Sequence, residues 1–196
     1  KDNKTWRDAL LLLANTNLDP AYAKTIKTLT SQPWPSDPDS QVLLNLHLAH
    51  YLSRYISHNR WQIRNRNVVK SSGTVPLEKK NLDQLLGEMH KAFASAYNLS
   101  LRNTTTLKQF AKPSLKRLNS FFVDASYPEK VRGTLRDTIA YLWTDTLIDN
   151  SYWTPAQDNQ AARLLTAKLL TTPYREAVNP SDLNQHPLKR AVKILS

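Results

Sequence analysis

Between Leu82 and Tyr97 one stripe of apolar side chains is formed by Leu82, Leu85, Leu86, Met89, Phe93, Ala96 and Tyr97. Steps of three and four are the signature of an α-helix with one buried stripe, and the spacing predicts a helix over 77–97. A second stripe, Leu44, Leu48, Tyr51, Leu52 and Tyr55, predicts a helix over 41–57 that continues through Trp61 and Ile63. A third runs Val131, Leu135, Ile139, Leu142, Trp143, Leu147 on "RGTLRDTIAYLWTDTLIDN". At 100° per residue these six share an arc of roughly 160°, with the carboxylates scattered outside it. Nowhere does strict alternation of β-branched residues suggest a strand.

Helix starts are readable as capping signals. Thr5 with Asp8 resembles a capping box before "WRDALLLLA". Asp19-Pro20 precedes Tyr22, Ile26 and Leu29 at helical spacing, and Asp37-Pro38 closes the rigid loop "PWPSDPDS". Ser126 with Glu129 and Thr154 with Gln157 form two further boxes, and Pro187 opens the last segment. Each places a side-chain acceptor before orphan N–H groups, or proline where no N–H is needed. "LKQFAK" reads as a short helix and Pro113 as the start of another; "KSSGTV" (70–75) and "NLSLRNTTT" (98–106) read as breaks. "IDNS" (148–151) reads as a helix stop in which Asp149 or Asn150 folds into an Asx turn. The expected fold is all-α: an irregular bundle or array of helical hairpins, seven to eight helices, no sheet. The starts are unevenly spaced, which disfavours a fixed-period solenoid.

Composition narrows the function classes. With 40% apolar residues and 196 positions, the chain can bury a core, and it contains no apolar run near eighteen residues. It has no cysteine, so disulfides, thiolate nucleophiles and Cys-ligated zinc are excluded. Three glycines, none in a phosphate-cradling pattern, exclude a P-loop. The net charge of +11 is concentrated in the middle of the chain. No acid lies between Asp39 and Glu78, where Arg54, Arg60, Arg64, Arg66 and Lys70 occur. None lies between Glu88 and Asp124, where six more bases occur. The remainder is neutral, so one basic region is expected rather than a uniformly basic surface.

Candidate chemistry is sparse. His47 and His50 stand three apart and can share a face with a metal ion. His58 lies roughly 16 Å further along the helix and cannot join them. Asp145 and Asp149 are helical neighbours, as a glycosidase-type carboxylate pair would need, but Asp137 points elsewhere and Asp149 sits at an unfavourable helix C-terminus. Neither arrangement specifies a site, and no catalytic, metal or cofactor residue is assigned. The triplets at Asn3, Asn98 and Asn103 match N-glycosylation acceptors at the frequency expected of an Asn- and Thr-rich chain. The stretch "HNRWQIRNRNVVK" interleaves Trp61 with arginines, with Arg60 and Arg64 on one side of a helix. The candidate interaction surface is therefore Arg54, Arg60, Trp61, Arg64, Arg66 and Lys70.

Thr134, Leu135, Arg136, Asp137, Tyr141, Leu142, Trp143, Leu147, Trp153 and Pro155, followed by His186, Pro187 and Leu188, form a pattern covering about a fifth of the chain. It resembles the helical region upstream of the macroglobulin domains in large bacterial alpha-2-macroglobulin-like proteins. The residues concerned are of packing and capping type, and the family's Cys–Gln thioester has no counterpart in a chain without cysteine. The resemblance implies a non-enzymatic helical scaffold of a protease-trapping protein in the periplasm or another extracytoplasmic setting. Its partners would be other domains of the same chain or an envelope protein. The chain reads as one helical domain over 1–196, with a point of subdivision near 71–76. The unfinished apolar face of the last helix predicts a longer native chain. The alternative is a basic helical nucleic-acid-binding protein of the cytoplasm.

Overall fold

A computed structural model describes residues 3–15, 22–66, 75–102, 135–164 and 185–195. The fold is all-α. Among the described residues there are eight α-helices: α1 (Asn3–Asn15), α2 (Tyr22–Ser31), α3 (Pro38–His58), α4 (Arg60–Arg64), α5 (Leu82–Arg102), α6 (Leu135–Ile148), α7 (Pro155–Leu164) and α8 (Pro187–Leu195). Two 3₁₀ turns, Leu77–Lys79 and Asn150–Tyr152, complete the set, and no described residue is in a strand. The chain divides into two compact units, Lys1–Leu99 and Ser100–Ser196.

In the first unit α1, α2 and α3 pack on one another. Leu10 and Leu11 of α1, Leu29 of α2 and Leu44 of α3 form a buried cluster, with Trp34, Leu48 and Tyr51 against it. Asp37 starts α3 as the sequence predicts: its backbone is extended and its Oδ1 accepts the Ser40 N–H at 2.9 Å, with Pro38 in the first turn. The helix then buries far more than the predicted stripe. Val42, Leu43, Leu46, Ala49 and Ile56 are buried beside Leu44, Leu52 and Tyr55.

Several boundaries differ from expectation, each for a physical reason. α1 covers Asn3–Asn15, so Thr5 lies within it rather than capping it, and the Asp8 carboxylate accepts two hydrogen bonds from Arg7. α5 begins at Leu82 rather than near Leu77. Asn81 and Gln84 form a reciprocal box, Asn81 N–H to Gln84 Oε1 and Gln84 N–H to Asn81 Oδ1, both at 3.0 Å. Leu77 is buried all the same, in the 3₁₀ turn. At its other end α5 continues through Arg102, where a polar connection is expected. Ser100 is buried one turn beyond Ala96 and Tyr97, so the inward-facing row extends into that connection. The segments around Asp19-Pro20, Leu107–Lys112, Pro113 and Ser126–Glu129 lie outside the described residues.

In the second unit α8 packs on α6 and α7. Ile139, Trp143 and Leu147 of α6 are buried, as are Ala191 and Ile194 of α8. The end of α6 is the predicted Asx turn: Asp149 Oδ1 accepts the Ser151 N–H at 2.8 Å. Thr154 and Gln157 form the predicted box at the start of α7, with bonds of 2.8 and 3.3 Å. His186 ties this corner to α8. Its Nε2 lies 2.8 Å from the Gln157 carbonyl oxygen and its Nδ1 accepts the Leu188 N–H. A carbonyl only accepts and an N–H only donates, so these partners fix the neutral ring with its proton on Nε2. The Trp153 ring meets His186 edge-on at 5.2 Å, and its indole N–H donates to the Leu147 carbonyl at 2.8 Å. Trp34 does the same for α2, donating to the Leu29 carbonyl. In a chain with three glycines, indole donors take over the helix-end carbonyls that a glycine C-cap otherwise satisfies.

Trp153→Phe keeps most of the buried ring but leaves the Leu147 carbonyl without its indole donor. A loss of about 1–3 kcal/mol is expected, read from urea unfolding followed by far-ultraviolet circular dichroism. Gly87 lies exposed inside α5, and a Cβ added there meets nothing within 4 Å. Gly87→Ala should therefore stabilise the chain by about 0.5–1 kcal/mol in the same assay.

Candidate interaction surface

The basic region is organised by the end of α3. The Asn59 N–H and its Nδ2 both donate to the Tyr55 carbonyl at 3.0 Å. Asn59 adopts φ −105° and ψ 20°, which interrupts the regular helix. The predicted continuation through Ile63 therefore becomes a separate short helix, restarted by the Ile63 N–H on the Asn59 carbonyl at 2.9 Å. Ile63 is buried and anchors α4. Trp61, two residues and 200° away around the helix, must then face outward. It is 80% exposed; Trp6 is 37% exposed, and Trp34, Trp143 and Trp153 are partly or fully buried.

Arg60, one residue before Trp61 in the chain, is half-buried, and Arg64, three after it, is exposed. Arg54 is exposed on α3. Arg66 departs from the expected row. Its Nη1 donates to the carbonyls of Lys80 (2.9 Å) and Leu77 (3.4 Å), and its Nη2 donates to the Tyr55 hydroxyl at 3.3 Å. Those bonds fasten the 3₁₀ turn to α3, so Arg66 is a structural brace rather than part of the contact ridge. Lys70 lies outside the described residues. The surface that remains is Trp61 with Arg60 and Arg64, and Arg54 nearby in sequence.

The histidines of α3 are drawn into packing. His47 stacks on Tyr51 with ring centroids 6.1 Å apart, and His50 meets the same ring edge-on at 5.8 Å. Burial, reinforced by the neighbouring His50, lowers the His47 pKa to about 3. Burial and the Arg54 charge lower that of His50 to about 4. His58 stacks edge-on against Tyr22. Among the described residues no group of three or more His, Cys, Asp or Glu converges to hold a metal ion. Asp145 is exposed on α6, with partial desolvation raising its carboxyl above the ordinary value, and the Asp149 carboxylate is engaged by the Ser151 N–H.

Sequence reasoning missed a groove in the first unit. It holds about 890 Å³ and is lined by α2, α3, α5 and the 75–80 segment. The Lys27–Glu78 and Lys80–Glu88 ion pairs cross between these elements. Its residues are scattered from Lys24 to Ser95, and no local pattern announces it. No described helix is long and apolar enough to cross a membrane. No family model, curated protein or solved structure matches the chain.

The two neutral histidines predict an acid-sensitive fold. Unfolded, each ring takes up a proton near pH 6.5; folded, only near pH 3 to 4. Between these values the unfolded chain binds more protons, so stability falls as pH drops below about 6.5, by up to ~1.4 kcal/mol per pH unit for each ring. Urea midpoints should drop between neutral pH and about pH 5. His47→Phe, which keeps a ring against Tyr51, should flatten that dependence.

Proposed function

We propose that the chain is a non-enzymatic helical interaction module of a larger extracytoplasmic protein of the alpha-2-macroglobulin-like class. It acts by contact with other domains of that protein or with an envelope partner. The observation that carries the contact role is Trp61: a large indole at 80% exposure, held out by the buried Ile63 and flanked by Arg60 and Arg64. Tryptophan and arginine are the residues most enriched where protein interfaces concentrate their binding energy. The setting rests on the family resemblance. Of the residues that carry it, Trp153, His186 and Leu188 are joined in one corner of the second unit.

A second reading uses the same feature, because nucleobases also stack on exposed indoles beside arginines. The two separate cleanly. With a photo-crosslinking benzoylphenylalanine in place of Trp61 in the full-length gene product, irradiation of intact cells should yield an adduct with another domain of the same polypeptide or with an envelope protein. An adduct with nucleic acid, or none, overturns the contact reading. If nucleic acid is the ligand, affinity falls steeply with salt, and Arg60→Ala with Arg64→Ala lowers the log–log slope by about one per arginine.

A further inference from the structure

The groove of the first unit has a chemistry of its own, independent of the Trp61 surface. Its floor is aliphatic. Ile26, Leu52, Leu77 and Ala92 are buried beneath it, with Leu48 partly so, and no aromatic side chain is among its lining residues. A planar ligand would find no stacking partner there, whereas an alkyl chain fits throughout. The volume of about 890 Å³ is in the range of small-molecule sites.

The polar groups of the lining narrow the ligand further. Thr30 Oγ1 donates to the Ile26 carbonyl, Ser31 Oγ to the Thr28 carbonyl, and Asn45 Nδ2 to the Gln41 carbonyl. These donors are spent on their own helices. Lys27 pairs with Glu78 and Lys80 with Glu88, the latter at 2.5 Å. Two more lysines, Lys24 on α2 and Lys91 on α5, line the same groove exposed and with no ion-pair partner among the described residues. Four lysines against two glutamates leave the rim cationic. Among the described residues the groove thus offers an apolar bed with a net positive rim.

We propose that this groove binds an anionic amphiphile of the fatty-acid class, its alkyl chain along Ile26, Leu48, Leu52 and Leu77 and its carboxylate on Lys24 or Lys91. A single carboxylate satisfies one ammonium by a charge-assisted hydrogen bond while the chain covers the floor.

The test is titration of the full 196-residue chain with cis-parinarate, followed by its fluorescence. Saturable one-to-one binding is expected, with displacement by hexadecanoate, at least about tenfold weaker displacement by hexadecanol, and none by a cationic trimethylammonium amphiphile of equal chain length. The pair Lys24→Glu and Lys91→Glu should weaken parinarate by about tenfold or more. Ser95→Phe, which fills the mouth from a partly exposed position, should abolish binding with the helical circular dichroism unchanged. Absence of saturable binding overturns the proposal. So does equal displacement by the cationic amphiphile, affinity unchanged in both variants, or displacement only by an amphipathic Glu/Leu peptide.

Discussion

Ten of the twenty-one residues of α3 are buried, and they lie all around the helix rather than along one stripe. A helix in that position cannot stand alone in water, since its apolar surface is covered only when neighbours supply several walls at once. Burial of α3 therefore constrains the rest of the first unit. It draws in α1 and α2, excludes water from His47, and keeps that ring neutral. It also makes the end of the helix consequential. Asn59 breaks it, Ile63 re-enters the core one turn later, and the brief excursion between them leaves Trp61 outside. The exposed indole is a by-product of how the buried helix terminates.

What could be read from the sequence was what is settled within one turn of chain. Asp37 capping Ser40, the Thr154/Gln157 box, the Asx turn at Asp149 and the start of α8 at Pro187 each depend on residues two or three apart, and each is legible. So are the stripes of α3 and α5, because a 3.6-residue period is imposed by the helix itself. The Asn81/Gln84 box was equally local, but it was masked by the buried Leu77, whose apolar character extends the stripe backward into a 3₁₀ turn. Other features depend on partners distant in sequence. Ser100 lies in a segment that looks like a polar loop and is buried by the fold. Arg66 sits in a run of bases and would be expected on the surface, yet its guanidinium reaches carbonyls eleven and fourteen residues away.

The candidate site was legible to the same degree. Trp61, Arg60 and Arg64 form a contiguous set because four residues span a helical turn. The groove is different, since it brings together residues from Lys24 to Ser95, and no window of sequence contains its floor and its rim. The two surfaces also differ in physical kind. Trp61 presents one large rigid side chain to solvent. The groove presents an aliphatic bed rimmed by lysines, which suits a ligand recognised by polarity more than by outline.

The indole donors that finish α2 and α6 have a spectroscopic consequence. Trp34 and Trp153 report on helix ends, Trp143 on a fully buried core position, and Trp61 on open solvent. Collisional quenching by iodide reaches Trp61 first and Trp6 to a lesser degree, and spares the buried rings. Fraying at the end of either helix releases a hydrogen-bonded indole and shifts its emission. With no extrinsic dye, the chain's own tryptophans can separate events at its exposed knuckle from the loosening of each unit.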